Sequence, residues 1–128
     1  MSGELSNIAK YIFLFGFIVS LIFGAWFFAS PESWSAITGW PTETASSRIV
    51  GALLIAFAAG AILAYRETSW DRVEVYVLMS IVWTILGTVG MVWNIAVMTL
   101  PPASWFTTGL LVLFFVLYFY VYYQAKRQ

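Results

Sequence analysis

Four long stretches of the chain are almost continuously apolar, and short polar segments separate them. They predict helices over residues 11–29, 48–65, 70–98 and 103–124. Each is close to the roughly 20 residues that a helix needs to cross a bilayer. The stretches do not alternate between polar and apolar positions, which excludes the strands of a membrane barrel. We therefore predict one all-α domain over residues 1–128, an integral membrane four-helix bundle with an up-down path.

The first connection is long enough to hold a helix of its own, predicted over residues 31–38. Trp34, Ile37 and Trp40 fall three apart, which favours a short helix lying at the membrane surface. The apolar stretch before it exceeds the roughly 7–15 residues of a signal-peptide core, so we expect the first helix to be retained.

Composition supports a membrane protein. The chain has 128 residues, of which 62% are hydrophobic and 9% charged, and its mean hydropathy is +0.87. A soluble domain of this size could not bury so much apolar surface. Cysteine and histidine are absent, which removes thiol chemistry and serine–histidine catalysis. Zero net charge without a basic run excludes a nucleic-acid partner.

The basic residues predict an orientation. With four spans, one side of the membrane carries Lys10, Arg66, Arg72, Lys126 and Arg127, and the other side carries Arg48 alone. Positive residues concentrate in cytoplasmic loops, so both termini are expected on the cytoplasmic side of the membrane. Aromatic residues near that side predict an interfacial belt: Trp70, Tyr118, Tyr120, Tyr122 and Tyr123.

Small residues recur at helical spacing and predict how the helices pack. Close packing and interhelical hydrogen bonds hold membrane helices together, and small residues let backbones approach. The predicted packing residues are Gly16, Ser20 and Gly24 in the first long helix, Ala52, Ala56, Gly60 and Ala64 in the second, and Ser80, Thr84 and Gly87 in the third. The fourth is built from large residues, so we expect it to be peripheral.

The hydroxyl groups of the third long helix allow two interpretations. Ser80, Thr84 and Thr88 fall four apart, which is typical of side chains that bond their own helix and also of a polar path. Ahead of the second long helix, Thr44, Ser46 and Ser47 are predicted as its N-terminal caps.

Arg48 is the centre of the predicted binding site. It precedes Ala52 by four residues, so its side chain should start toward the bundle interior. Asn94 is expected at a similar depth on the same side, with Glu43 or Glu32 as a counter-charge. The cluster of Arg48, Asn94 and Glu43 could bind a ligand or lipid headgroup; the alternative is that Arg48 reaches the headgroups or ties down the loop.

No catalytic residues, metal site or cofactor are predicted, although a pigment could be held through asparagine, a carbonyl or water. Glu67, Asp71 and Glu74 fall near one turn, where helix-terminal charge and pairing with Arg66 and Arg72 explain them better than a metal does. No carboxylate falls in the middle of a span, which disfavours a proton-coupled antiporter.

One sequence pattern resembles a family. Trp40-Pro41, Arg48-Ile49-Val50-Gly51, the alanine-rich helix with an arginine at its end and Trp70 resemble small prokaryotic membrane proteins grouped with the DoxX-like proteins. The resemblance covers about half of the chain, residues 40–97. It implies a prokaryotic four-helix fold and no particular activity; some members of that group are linked to respiratory or sulfur-oxidising membrane complexes.

The first functional hypothesis is therefore a non-catalytic accessory or assembly subunit of a larger membrane complex, with an energy-converting complex as one candidate. The alternatives are a small homo-oligomeric transporter or channel, and a membrane protein that binds a lipid or quinone. Expected partners are membrane lipids and either other membrane subunits or further copies of the chain.

Overall fold

A computed structural model describes residues 5–40 and 43–127, so Pro41 of the family resemblance lies outside the described residues. The helices are α1 (Asn7–Ala29), α2 (Pro31–Thr38), α3 (Thr44–Tyr65), α4 (Trp70–Val97) and α5 (Ala103–Arg127). All but α2 are long and apolar enough to cross a membrane. The prediction of an all-helical, multi-pass membrane protein is confirmed over this part of the chain.

Local sequence explains where the helices begin and end. Helix α1 begins at Asn7 rather than residue 11 because the Ser6 hydroxyl accepts a hydrogen bond from the Ala9 amide (3.1 Å). Pro31 opens α2, where its missing N–H costs no hydrogen bond. Helix α2 ends at Thr38 and is capped by Gly39, whose φ of 74° lies in the left-handed region that glycine adopts without strain.

The long helices associate mainly as two pairs, α1 with α3 and α4 with α5. In the first pair the backbones touch: a Cβ added to Gly51 would lie 2.5 Å from the Phe28 amide nitrogen and 2.7 Å from the Gly24 carbonyl oxygen. In the second pair the Leu111 side chain of α5 packs over Gly87 of α4. The expectation that the last helix is peripheral is therefore wrong, because its large side chains fill space that the small residues of α4 leave open.

All four long helices meet at one end of the molecule, here named the core end. Its buried cluster consists of Ala9, Ile12, Phe13, Ala64, Trp70, Val73, Val77, Tyr118, Val121 and Ala125. The Leu5 amide also donates to the Thr68 carbonyl oxygen (3.0 Å), which ties the segment before α1 to the α3–α4 turn. Tyr118 and Trp70 are 3% exposed, so they belong to the core rather than to the predicted interfacial belt.

The opposite end of the molecule, here named the far end, is covered by α2. Trp34 is buried among the rings of Phe23, Trp26 and Phe27, and Trp26 Nε1 donates to Ser33 Oγ (2.7 Å). The short helix spans the predicted residues. It inserts Trp34 between its neighbours, while Ile37 remains exposed.

The packing row of α3 is displaced from its predicted position. The buried positions are Gly51, Ala58, Ala61 and Ala64, whereas Ala52 and Ala56 are exposed. Alanines are so frequent in α3 that several helical rows are small; direct contact between Gly51 and Gly24 selects which row faces α1. The prediction that Ala52 and Ala56 pack inside this chain is therefore wrong.

The other predicted packing residues lie inside or beside the bundle. Gly16, Gly24, Ala64, Ser80 and Thr84 are buried, and Ser20, Gly60 and Gly87 are partly buried. Gly60 receives the ring of Tyr76, since a Cβ there would lie 2.8 Å from two of its carbon atoms. These glycines accept side chains as well as neighbouring backbones.

Candidate functional site

The predicted cluster at Arg48 is not assembled. Arg48 is exposed; its Nε donates to the Phe28 carbonyl oxygen near the end of α1 (3.2 Å), and one of its terminal nitrogens lies 3.8 Å from Glu32. A cation at a helix C-terminus satisfies a carbonyl that has no partner within its own helix. Arg48 therefore ties α3 to α1 and α2, which is the structural alternative considered from the sequence.

Glu43 is engaged elsewhere, as the N-cap of α3. Its carboxylate accepts hydrogen bonds from the amides of Ala45 (3.0 Å) and Ser46 (2.8 Å) and from the Ser46 hydroxyl (2.6 Å). The Ser46 hydroxyl bond is the main reason that the pKa of Glu43 is lowered, and the two amide bonds add to it. The cap is thus Glu43 rather than the predicted Thr44, Ser46 or Ser47.

Asn94 lies near the end of α4 with its side chain exposed. Its backbone carbonyl accepts from the Met98 amide (2.8 Å), and its side chain takes no part in the contacts of Arg48. The three predicted site residues are therefore apart: one ties helices together, one caps a helix and one faces outward.

A cavity of about 110 Å³ lies between the two helix pairs, and we name it the central cavity. Its walls are mostly aromatic and aliphatic. They are formed by Gly16, Val19, Ser20, Phe23 and Phe27 of α1, Leu54 and Phe57 of α3, Tyr76, Ser80, Trp83 and Thr84 of α4, and Thr107, Leu110, Leu111, Phe114 and Tyr118 of α5. The cavity exists because each helix packs closely only with the other member of its pair.

Three hydroxyl groups meet in the cavity wall, and we name Tyr76, Tyr118 and Ser80 the hydroxyl cluster. The two tyrosine oxygens are 2.9 Å apart and share one hydrogen bond. Tyr118 reaches this position because α1 has Gly16 there, where a Cβ would lie 2.5 Å from the phenolic oxygen. Ser80 lines the same cavity one helical turn after Tyr76, and its Oγ is buried without a hydrogen-bond partner among the described residues.

The remaining hydroxyls of the wall are occupied by their own helices. Thr84 Oγ1 donates to the Ser80 carbonyl oxygen (2.8 Å), and Thr107 Oγ1 donates to that of Ala103 (3.1 Å). Thr88 Oγ1 likewise donates to the Thr84 carbonyl oxygen (2.7 Å). Of the predicted Ser80/Thr84/Thr88 row, Ser80 alone keeps an uncommitted hydroxyl in the described structure.

Two carboxylates near the α3–α4 turn, those of Glu67 and Glu74, are paired with cations. Glu67 lies 3.7 Å from Arg72, and Glu74 lies 3.1 Å from Lys126 of α5. These pairs are at the surface, so they stabilise the fold little. Among the described residues, the hydroxyl cluster is the buried polar group with unused bonding capacity.

Sequence reasoning missed this cluster because Tyr118 was grouped with the belt tyrosines around it. A signal existed: Phe114, Tyr118, Val121 and Ala125 fall four, three and four apart, the spacing of a helix face turned toward a core. Which residue would face Tyr118 carried no local signal, since Tyr76 is 42 residues away.

Comparison with known proteins identified no relative of this chain. No family model, curated protein or solved structure matches the chain.

Proposed function

We propose that this protein is a non-catalytic membrane protein that binds an apolar, membrane-dissolved molecule in its central cavity. The observation that carries the proposal is the cavity itself, lined mostly by aromatic and aliphatic side chains and holding the Ser80 hydroxyl, which has no hydrogen-bond partner among the described residues. Small-molecule sites are typically concave and apolar with a few placed polar groups. A lipid chain and a quinone ring, both considered from the sequence, suit such a lining.

Size supports a ligand portion no larger than a ring. An apolar cavity of about 150 Å³ holds one benzene molecule, and the central cavity has about 110 Å³. The rest of a larger molecule must extend out of the cavity between the helices.

We infer that the four long helices cross the membrane alternately, with both termini on the cytoplasmic side of a prokaryotic inner membrane. Contact among Ala9, Ala64, Trp70 and Ala125 supports the alternating path, because it brings the start of α1, the α3–α4 turn and the end of α5 together. The charge bias of five basic residues against Arg48 supports the orientation.

Binding of a small aromatic probe, part of which would extend out of the cavity between the helices, tests the proposal. Purified protein in lipid nanodiscs should bind durene (1,2,4,5-tetramethylbenzene) saturably, and Ser20→Phe should abolish that binding because the new ring occupies the cavity. Ile22→Phe, on the exposed face of the same helix, is the matched control and should bind normally. Equal binding by both variants, or no saturable binding by the unaltered protein, would overturn the proposal.

A second function, assembly with other membrane subunits or further copies, is favoured by the exposed face of α3. Ala52, Ala56 and Ala59 are exposed along it, and small residues let a neighbouring helix approach closely. An accessory role in an energy-converting complex would use this face. In native electrophoresis after mild extraction, Ala56→Phe should shift the protein out of a larger species, whereas Leu113→Phe on the exposed face of α5 should not.

A further inference from the structure

A second hollow lies beside the central cavity, between α3 and α4, and we name it the lateral groove. Its volume is about 430 Å³. Its lining is largely apolar and comprises Leu53, Ala56, Phe57, Gly60, Leu63, Ala64, Glu67, Arg72, Val73, Val75, Tyr76 and Met79. Leu63, Val75 and Met79 are more than half exposed, so in a membrane the groove is open to lipid.

Phe57 and Tyr76 line both hollows. Their ring centroids are 6.3 Å apart, and Phe57 also stacks on Trp83, another cavity residue, at 6.0 Å. The shared wall is thus made of side chains from two helices that contact each other little. Side-chain rotation is fast compared with helix movement, so a passage formed by these two rings would not require the helices to separate.

The resting position of the Tyr76 ring depends on Gly60 of α3, which lies against it. A Cβ at that position would lie 2.8 Å from the ring carbons, closer than a methyl group can approach. Gly60 therefore sets where the ring rests between groove and cavity.

The number of free hydroxyl hydrogens in the hydroxyl cluster determines what it can bind. The bond between Tyr76 and Tyr118 uses one of their two hydroxyl hydrogens, and Ser80 has a further one without an acceptor among the described residues. Two O–H donors are therefore available at one place. A carbonyl oxygen has two lone pairs and can accept from both.

The charge of the cavity lining further restricts which ligands can bind. None of the described residues that line the central cavity carries a charge. Burying an ion without a counter-charge is very costly, whereas a neutral carbonyl that finds two donors is not penalised. The cavity therefore suits a neutral ligand.

Building on the function proposed above, we propose that the lateral groove is the entrance to the central cavity, with Phe57 and Tyr76 as its gate. The ligand is a neutral molecule dissolved in the bilayer that presents a carbonyl oxygen to the hydroxyl cluster. The ring carbonyl of a quinone and the ester carbonyl of a neutral lipid share this chemistry.

A matched pair of probes tests the carbonyl preference. Duroquinone has the same four methyl groups as durene and adds two carbonyl oxygens, so the unaltered protein in nanodiscs should bind it about tenfold more tightly. Ser80→Ala and Tyr118→Phe should each remove most of that preference, measured as the ratio of duroquinone affinity to durene affinity within the same variant. Ser104→Ala, which removes a buried hydroxyl outside the cavity, should keep the preference.

A competition experiment separates the two sources of the carbonyl. Displacement of duroquinone by dioleoylglycerol at low mole fraction would identify the site with an ester lipid, and resistance to it would identify the site with a ring carbonyl. Binding of durene as tight as that of duroquinone would overturn the carbonyl inference and leave the proposed binding function standing. Failure of both probes to bind would overturn both.

The entrance is tested by blocking it. The chain contains no cysteine, so Met79→Cys in the groove can be labelled alone with a pyrene maleimide. The label should slow duroquinone association at least tenfold. Leu86→Cys, exposed on the same helix but outside both hollows, is the labelled control and should leave the rate unchanged. Equal association rates for the two labelled proteins would overturn the lateral entrance.

Discussion

The two ends of the bundle are held together by different means. At the core end, large side chains from all four long helices interlock around Phe13, Val77 and Tyr118. Toward the far end, α1 and α3 cross with their backbones in contact at Gly24 and Gly51, and α4 stays apart with Trp93 and neighbouring residues exposed.

The difference shows how helices associate in a membrane, where the hydrophobic effect contributes little free energy to their association. Lipid is as apolar as leucine, so association depends on how many atoms come into close contact. Large interlocking side chains and bare backbones both achieve this. The central cavity lies between the core end and the backbone crossing at Gly24 and Gly51, where neither large side chains nor touching backbones fill the space completely.

The largest effect is expected at the backbone crossing. Gly51→Leu should cost at least the roughly 1–3 kcal/mol of overpacking in a core, because the atoms in the way belong to the Phe28 and Gly24 backbones. Gly109→Leu is the matched control, since a Cβ there meets nothing within 4 Å. Reversible unfolding in bicelles measures both. Similar losses for the two variants would show that the crossing is not the critical contact.

A somewhat smaller effect is expected at the core end. Phe13→Ala should cost about 2 kcal/mol, the cavity part of the roughly 3–5 kcal/mol that this deletion costs in water-soluble cores. The transfer part is largely absent because the separated helix would expose the ring to lipid instead of water. Phe15→Ala, 40% exposed on the same helix, should change the unfolding free energy little. A full soluble-core cost at Phe13 would contradict this interpretation.

The sequence predicted the helices well because bilayer-length apolar runs are a strong and local signal. Helix partners were harder to predict. Ala52 and Ala56 satisfy the same small-residue spacing as the buried row, and only contact with another helix distinguishes them. The partners of α5 were missed for the same reason, because large residues suit a lipid-facing surface and an interlocked core equally.

The candidate site was the least predictable part. The predicted site was centred on Arg48 because of its charge, but the Arg48 guanidinium donates a hydrogen bond to the Phe28 carbonyl oxygen. The hydroxyl cluster depends on Gly16 making room for Tyr118 and on a contact between Tyr76 and Tyr118 across two helices. Neither relation is encoded within a single helix, so periodicity could not reveal it.

A smaller effect is expected at the ion pair between Arg48 and Glu32 at the far end. Its ion pair with Glu32 is 3.8 Å long, with half or more of each side chain exposed. A double-mutant cycle of Arg48→Ala and Glu32→Ala should give a coupling of roughly 0.2–1 kcal/mol that weakens as salt is added. A coupling that is larger and insensitive to salt would show that the pair is shielded from solvent and holds the far end together.

The smallest effect is expected at Glu43, which caps α3 at the far end. Its pKa lies below the ordinary value of 4.5, chiefly through the Ser46 hydroxyl bond. Because the folded pKa is the lower one, the charged carboxylate stabilises the cap fully above pH 4.5, and this contribution is lost as pH falls through the lowered pKa. Amide hydrogen exchange at Ala45 and Ser46 should therefore show less protection on acidification, after correction for intrinsic exchange.

Glu43→Gln should show little of this pH dependence, since its amide oxygen accepts hydrogen bonds but does not titrate over this range. Loss of protection in both proteins at the same pH would place the titrating group elsewhere. Protection changes extending to Gly51 would show instead that the cap and the backbone crossing open as one unit, joining two features of the far end that here stabilise it separately.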